Sequence, residues 1–319
     1  MTWWESWFGE EYLDLYPHRD LASARREVAF ALAHLAPDPM PLLDLCCGAG
    51  RHSLRFAERG LSPVGLDYSA PSLELARARS RDLRLVRGDM RSLPFAGGAF
   101  RSVVNFFTSF GYFLRETDNV AVVAEIQRVL APGGRFLCDT FGRDHVIARL
   151  VEEENRSTLE REYRIRRWWN PESSRVEKEI EVRRGGSTAA FRESVRAYTA
   201  EELTAMFRGA GLAVEAAWGD FEGGEAGSDS PRLIVLARKP CCWGRFRSTD
   251  IPGSLRSSTT FCGAFPSSSR ILRRSKPPRR AARASSERPA GFPRSRSVFA
   301  SRRRRPWPGT WPRDAPSPS

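Results

Sequence analysis

The chain has 319 residues, 41% hydrophobic, 11% aromatic and 28% charged, which suits one large domain or two small ones with a real core. No apolar run approaches the roughly 20 residues of a membrane-spanning helix, and the acidic opening MTWWESWFGEEYLD lacks the marks of a secretory leader, so neither export nor membrane insertion is expected. The formal charge of +13 is confined to the end, with −2 on residues 1–240 and +15 on residues 241–319, so it says nothing about what the folded part binds.

Residues 3–35 read as helical. Trp3, Trp4, Trp7, Phe8 and Tyr12 recur near helical spacing, an Ala- and Leu-rich stretch follows, and Pro37, Pro39 and Pro41 end it. Residues 42–46 are a short apolar run entering the glycine turn Cys47-Gly48-Ala49-Gly50, and a helix is expected over 52–59. Further strands are expected at 63–67, 83–86, 102–107 and 135–139, with helices at 72–79 and 119–130 and a turn at Ala131-Pro132-Gly133-Gly134. Short apolar strands alternating with amphipathic helices predict parallel βαβ units covered on both faces.

The pattern changes after about residue 155. Strands at 160–169, 175–184 and 190–198 are joined by turn chemistry at Asn170-Pro171-Glu172-Ser173 and Gly185-Gly186-Ser187, which predicts an antiparallel insertion. Thr199 with Glu202 three residues on reads as a capping box opening a helix to residue 209. Strands at 212–218 and 232–238 close the domain. The tail beyond Pro240 has 17 arginines, one lysine and no apolar periodicity, so disorder is expected. Its composition is that of a GC-rich message read out of frame, a reading preferred here to a nucleic-acid tether. The six cysteines form no C-x-x-C pair and no histidine cluster accompanies them, so no metal site is expected and reduced thiols of a cytoplasmic protein are the default.

The most informative stretch is Asp44-Leu45-Cys46-Cys47-Gly48-Ala49-Gly50. Glycines between strand and helix let a nucleotide approach the backbone. Asp44 at the strand end distinguishes between nucleotides: a carboxylate there repels a pyrophosphate, whereas S-adenosylmethionine offers a sulfonium and an ammonium. Ser53 also occupies the third position of the dinucleotide fingerprint, which counts against a nicotinamide-dependent reductase. Asp67 ends the second strand, 17 residues after Gly50, where it can accept both ribose hydroxyls. Asp89 follows the third strand, suited to an adenine amino group with Met90 beside the ring. Cys46 and Cys47 read as small packing residues.

These segments, with Val64-Gly65-Leu66-Asp67-Tyr68-Ser69, Gly88-Asp89-Met90-Arg91-Ser92-Leu93-Pro94-Phe95 and Leu130-Ala131-Pro132-Gly133-Gly134, resemble the class I S-adenosylmethionine-dependent methyltransferases, close to their small type 11/25 domains. The likeness covers residues 40–140 strongly and 199–239 by its helix–strand–strand ending. It implies a Rossmann-like α/β fold with a mostly parallel seven-stranded sheet, helices on both faces, a small antiparallel β insertion and a disordered tail. The implied organisation is a helical lid at 1–36, the cofactor-binding core at 37–142, a helix plus antiparallel insertion at 143–198, the core's ending at 199–240 and the tail at 241–319. By the same likeness Asp67 holds the ribose, Asp89 and Met90 the adenine, and Gly48 and Gly50 the methionine moiety. Asp44 acts near the amino group, and Cys46, Tyr68 and Asn105 complete the cofactor set.

The resemblance implies methyl transfer from S-adenosylmethionine to a small-molecule acceptor by in-line displacement. An RNA methyltransferase anchored by the tail is a second reading, which the −2 charge of residues 1–240 disfavours; a non-catalytic cofactor binder is a third. Nucleic-acid and membrane partners are not expected, and the oligomeric state is open. Asn105-Phe106-Phe107-Thr108 departs from the Asn/Asp-Pro-Pro-aromatic signature of enzymes that methylate DNA amines or glutamine side chains. The aromatic run 106–113 reads as either an acceptor wall or a buried turn. Tyr112 and His145 are the candidate bases, although alignment alone suffices for such a transfer. His52 reads equally as a contact to the methionine part or as structural. The N-terminal aromatic helix reads either as a lid, with Tyr12 or Tyr16 reaching into the cleft, or, the preferred reading, as an amphipathic helix packed on the sheet; Trp168-Trp169 is expected to floor the acceptor pocket or form a dimer contact.

Overall fold

The computed structural model describes residues 3–8, 10–16, 21–35 and 38–241. The basic tail from residue 242 onward, with Cys242 and Cys262, lies outside the described residues. Three helices come first, α1 (Trp3–Trp7), α2 (Glu10–Leu15) and α3 (Leu21–His34). The chain then alternates through β1 (Leu42–Leu45), α4 (Arg51–Glu58), β2 (Val64–Asp67), α5 (Ala70–Arg79), β3 (Arg84–Arg87), β4 (Phe100–Asn105), α6 (Glu116–Val129) and β5 (Leu130–Phe141). A short α7 (Arg143–Ala148) leads to β6 (Glu153–Ser157), β7 (Glu162–Asn170), β8 (Arg175–Arg184) and β9 (Ser187–Arg196). Helix α8 (Ala200–Gly209) and strands β10 (Ala213–Trp218) and β11 (Arg232–Arg238) close the fold.

The main sheet has seven strands in the order β10-β11-β5-β4-β1-β2-β3, parallel except for β11, which runs antiparallel to both its neighbours. Alternation along the strands divides the core between the two faces. Leu43, Leu45, Val103 and Phe136 pack with α6 and α8 through Val122, Ile126, Leu203 and Phe207. Leu42, Val104 and Leu137 pack on the other side with Val28 and Ala31 of α3 and Phe56 of α4. Chain order reverses between β1 and β4, and the crevice beyond the carboxyl ends of strands at such a point is where ligands of open α/β sheets bind.

The insertion is a four-stranded antiparallel sheet, β6-β7-β8-β9, where the sequence pattern predicts three strands. The strand it misses, β6, reads Glu-Glu-Asn-Arg-Ser, is half-buried at Glu154 and exposed elsewhere, and pairs only with β7. An edge strand without an apolar face has no hydrophobic period to read. A third core cluster joins Trp7 and Leu15 of the N-terminal helices to Tyr163, Ile165, Ile180 and Val182 of this sheet. The capping box opening α8 is present, with Thr199 Oγ1 accepting from Glu202 N–H and the Glu202 carboxylate accepting from Thr199 N–H. Strand β5 starts earlier than predicted. Its pairing jumps from Phe100↔Leu130 to Ser102↔Arg135, so the Pro-Gly-Gly turn bulges out between paired ends. No described helix is long and apolar enough to cross a membrane.

Candidate functional site

A cleft of about 760 Å³, its open mouth included, lies over the carboxyl ends of β1 to β4. Its floor is Cys46 and Gly48 after β1, Asp67 and Tyr68 at the end of β2, Gly88 to Met90 after β3, and Ser109, Tyr112 and Phe113 after β4. Its roof is Trp4 and Phe8 from the first helical segment and Tyr12 from α2.

The glycine turn owes its shape to backbone that only small residues adopt easily. Gly48 has φ +54° and nothing within 4 Å of where a Cβ would stand, while Gly50 has φ +73° and would press a Cβ to 3.0 Å from Ala76. Asp67 ties this turn to the next loop: its Oδ2 accepts from Gly48 N–H at 2.7 Å and its Oδ1 from Ser69 N–H at 2.8 Å. Burial raises its pKa against those backbone donors. Asp89 keeps a pKa below its ordinary value although burial opposes this, because Arg91 donates to it from backbone and guanidinium. Met90 Sδ lies 3.5 Å from Cys46 Sγ. Burial pushes both Cys46 and Cys47 thiols well up, so neither is a ready nucleophile.

Asp44, Gly50 and Asn105 do not line the cleft. Asp44 is buried behind the turn, its Oδ2 taking the Ser53 hydroxyl at 2.6 Å, and burial pushes its pKa up to about 6. Gly50 caps α4. Asn105 is buried and donates to the Leu45 carbonyl at 3.0 Å. His52 is structural in its contacts: its Nε2 meets Glu27 Oε2 at 2.5 Å and its ring stacks on Phe106 at 4.2 Å. Burial and Arg51 lower its pKa to about 4. His145 stands apart on α7, half-buried, with Nδ1 against the Asp229 carbonyl at 2.8 Å, and it lines neither this cleft nor the chamber beside it.

That second chamber encloses about 830 Å³, mouth included, and shares the wall Phe8, Tyr12 and Tyr112 with the cleft. It lies between the main sheet's loops and the antiparallel sheet. Phe107, Phe141, Val146 and Leu150 make one apolar side, and Val176, Lys178, Glu193 and Val195 stand across from β8 and β9. Tyr16 is not in the cleft. It donates to Glu193 at 2.8 Å, Glu193 also accepts from Trp7 and Lys178, and burial raises the Tyr16 pKa well above its usual value. Trp168 and Trp169 line neither space.

The loop after β4 is strained. Phe107 (φ +63°) and Thr108 (φ +60°) are successive non-glycine residues in the left-handed region. Asp139 holds them, accepting Phe107 N–H at Oδ2 (2.7 Å) and Thr108 N–H at its carbonyl (2.9 Å), and Arg232 Nε donates to Asp139 Oδ1 at 2.7 Å. The sequence reading missed Asp139, Arg167, Lys178, Glu193 and Arg232. The signal that was present is period-two alternation, which puts Arg167 on the face of Tyr163 and Ile165; in addition, Lys178 is one of only two lysines in residues 1–240.

Two carboxylates, six aromatic side chains and no basic side chain line the first cleft among the described residues. That lining fits a phosphate-free nucleoside carrying positive charge, because rings and carboxylates both stabilise a cation and nothing there would hold a diphosphate. Residues 42–134 match the family described as "Methyltransferase domain". Over 218 residues the chain is 30% identical to the dTDP-3-amino-3,4,6-trideoxy-alpha-D-glucopyranose N,N-dimethyltransferase of Streptomyces venezuelae, covering 66% of this chain and 89% of that one. The fold is similar to the CcbJ methyltransferase of Streptomyces caelestis, with a TM-score of 0.63 at 20% identity over 73% of this chain and 98% of that one. It is also similar to the S-adenosylmethionine-bound amino pentose methyltransferase CalS10 of Micromonospora echinaspora, with a TM-score of 0.54 at 25% identity over 72% and 97% of the two chains.

Proposed function

The chain belongs to the class I S-adenosylmethionine-dependent methyltransferases, and we propose that its acceptor is a small molecule received in the second chamber. When bound, S-adenosylmethionine supplies an electrophilic methyl carbon on a sulfonium, so an acceptor lone pair forms the new bond as the carbon–sulfur pair returns to sulfur. In this reading Asp67 accepts the ribose hydroxyls, since its two oxygens each hold one backbone donor and keep further lone pairs. Asp89 and Met90 hold the adenine, Gly48 and Cys46 leave room for the methionine part, and Tyr68 flanks the nucleoside. Asp44 acts through the turn as a buried charge. The N-terminal helices, by way of Trp4, Phe8 and Tyr12, close the cleft against water.

The single observation that carries the proposal is the shared wall. Phe8, Tyr12 and Tyr112 line both spaces, so the two meet at these side chains, where an acceptor atom can be set against the cofactor's methyl. Alignment and exclusion of water then supply most of the rate, and a dedicated base is not required. Tyr112 remains the candidate for orienting the acceptor or taking its proton, and His145 is set aside because it reaches neither space. The small-molecule reading is also supported by the relative that methylates a nucleotide-linked amino sugar and by the −2 charge of residues 1–240.

The test has two parts. Calorimetry with S-adenosylmethionine, S-adenosylhomocysteine and NADH is expected to give binding of the first two alone. Incubation of the protein and methyl-labelled cofactor with metabolite extracts is expected to label a low-mass compound; label appearing only in RNA or protein overturns the acceptor class.

A further inference from the structure

We propose that the second chamber recognises an acceptor bearing an anionic head group, a carboxylate or a phosphate, held by Arg167 and Lys178 while its apolar body lies among Phe141, Val146, Leu150 and Val176. The inference rests on the reading that this chamber takes the acceptor.

Arg167 on β7 pairs directly across from Lys178 on β8, and Lys178 directly across from Glu193 on β9. All three line the chamber. Two like charges opposite one another destabilise a sheet pair, and the cost is larger where water is scarce. Here both are largely buried, with side chains only 16% and 14% exposed. A fold that needed only packing on this face would place apolar residues there, as it does at Ile165 and Ile180, which face each other one step along the same ladder.

The second element is where the compensating carboxylates stand. Arg167 donates to Glu154 at 2.6 Å, and Arg232 is bound to Asp139 at 2.6 Å. Neither Glu154 nor Asp139 is part of the chamber lining, whereas the arginines are. The chamber therefore meets the positive ends of these pairs, with the negative ends behind them. Of the described acidic side chains only Glu193 lines the chamber, and it is already the acceptor for Trp7, Tyr16 and Lys178. Donors fixed from behind in this way are preorganised for an anion, because holding it demands little rearrangement.

The third element is contrast with the neighbouring cleft, whose lining holds Asp67 and Asp89 and no basic side chain among the described residues. A molecule with an anionic end is thereby turned so that the charge points to the antiparallel sheet. Its other end then faces the shared aromatic wall.

The experiment uses the full chain saturated with S-adenosylhomocysteine and four probes in calorimetry: benzoate, phenyl phosphate, benzyl alcohol and benzylamine. Benzoate or phenyl phosphate is expected to bind at least about tenfold more tightly than the alcohol and the amine, and the tighter of the two identifies the head group. Arg167→Gln is expected to remove that preference, and Arg167→Lys to restore part of it, with S-adenosylhomocysteine affinity unchanged in both. An amine or alcohol binding as well as the anions, or an anion preference that survives Arg167→Gln, overturns the inference. Failure of the wild-type chain to bind S-adenosylhomocysteine overturns the reading of the cleft, a distinct result. If Arg167→Gln does not fold, the probe series on the wild type and on Arg167→Lys decides alone.

Discussion

The cleft over the main sheet is lined by two carboxylates and six aromatic side chains, whereas the chamber across Phe8, Tyr12 and Tyr112 presents two arginines, a lysine and one carboxylate already bound to three donors. Both are of similar size, so shape does not separate them. Their difference is electrostatic, and it has a structural source. The cleft is built from strand ends of a parallel sheet, where short loops bring Asp67 and Asp89 into line. The chamber's charged wall comes from a pleated antiparallel sheet, where every second residue of β7, β8 and β9 points the same way. A ligand for the first space is selected by positive charge, and a ligand for the second by negative charge.

The sharpest way to break this contrast is Asp67→Ala, which removes the carboxylate and the tie between the glycine turn and Ser69. Binding of S-adenosylhomocysteine should weaken about a hundredfold, with Asp67→Asn in between, as calorimetry can measure. Unchanged affinity in the alanine variant would refute the ribose assignment. Next comes the partition itself. Tyr112→Ala removes a side chain that lines both spaces and so loosens the acceptor's alignment, and turnover of the acceptor found in the label screen should fall about thirtyfold while S-adenosylhomocysteine binds within about threefold of the wild type. Tyr112→Phe keeps the wall, so it should keep turnover within about threefold; a large loss there would show that the hydroxyl is needed as a base.

Protons offer a milder test. Asp44 titrates near pH 6 because burial raises it, so lowering the pH from 7 to 5 protonates it and removes a negative charge from behind the glycine turn. A raised carboxylate pKa means the charge is lost as pH falls through 6. Affinity for the cationic cofactor should therefore drop by about threefold over that range, and Asp44→Asn should flatten the profile. Benzoate binding in the other chamber should not follow the same curve. The smallest effect is expected at His145→Ala, which should leave turnover within about twofold, since the ring is engaged with Asp229 and meets neither space.

Much of the cleft was legible because its residues lie next to one another in the chain. The turn Gly48-Ala49-Gly50, Asp67 and Asp89 each end or closely follow a strand that short apolar runs announce, and a parallel sheet brings such ends to one edge. The same reading overreached at Asp44, Gly50 and Asn105. They sit in the right segments, but alternation along β1 and β4 puts the Asp44 and Asn105 side chains behind the wall, and Gly50 caps α4. The aromatic run after β4 resolved both ways: Tyr112 and Phe113 face the cleft, while Phe106 and Phe110 are buried in the core clusters.

What the sequence alone determined is the α/β order, the glycine turn and the acids at the strand ends, because each is written within a few residues of chain. Only the tertiary structure decided that Arg167, Lys178 and Glu193 stand side by side, that Arg232 reaches Asp139, and that Trp4, Phe8 and Tyr12 roof the cleft. Those neighbours come from five strands and an N-terminal segment far apart in the chain. Strand register and packing bring them together, and neither has a local period that a one-dimensional reading can detect.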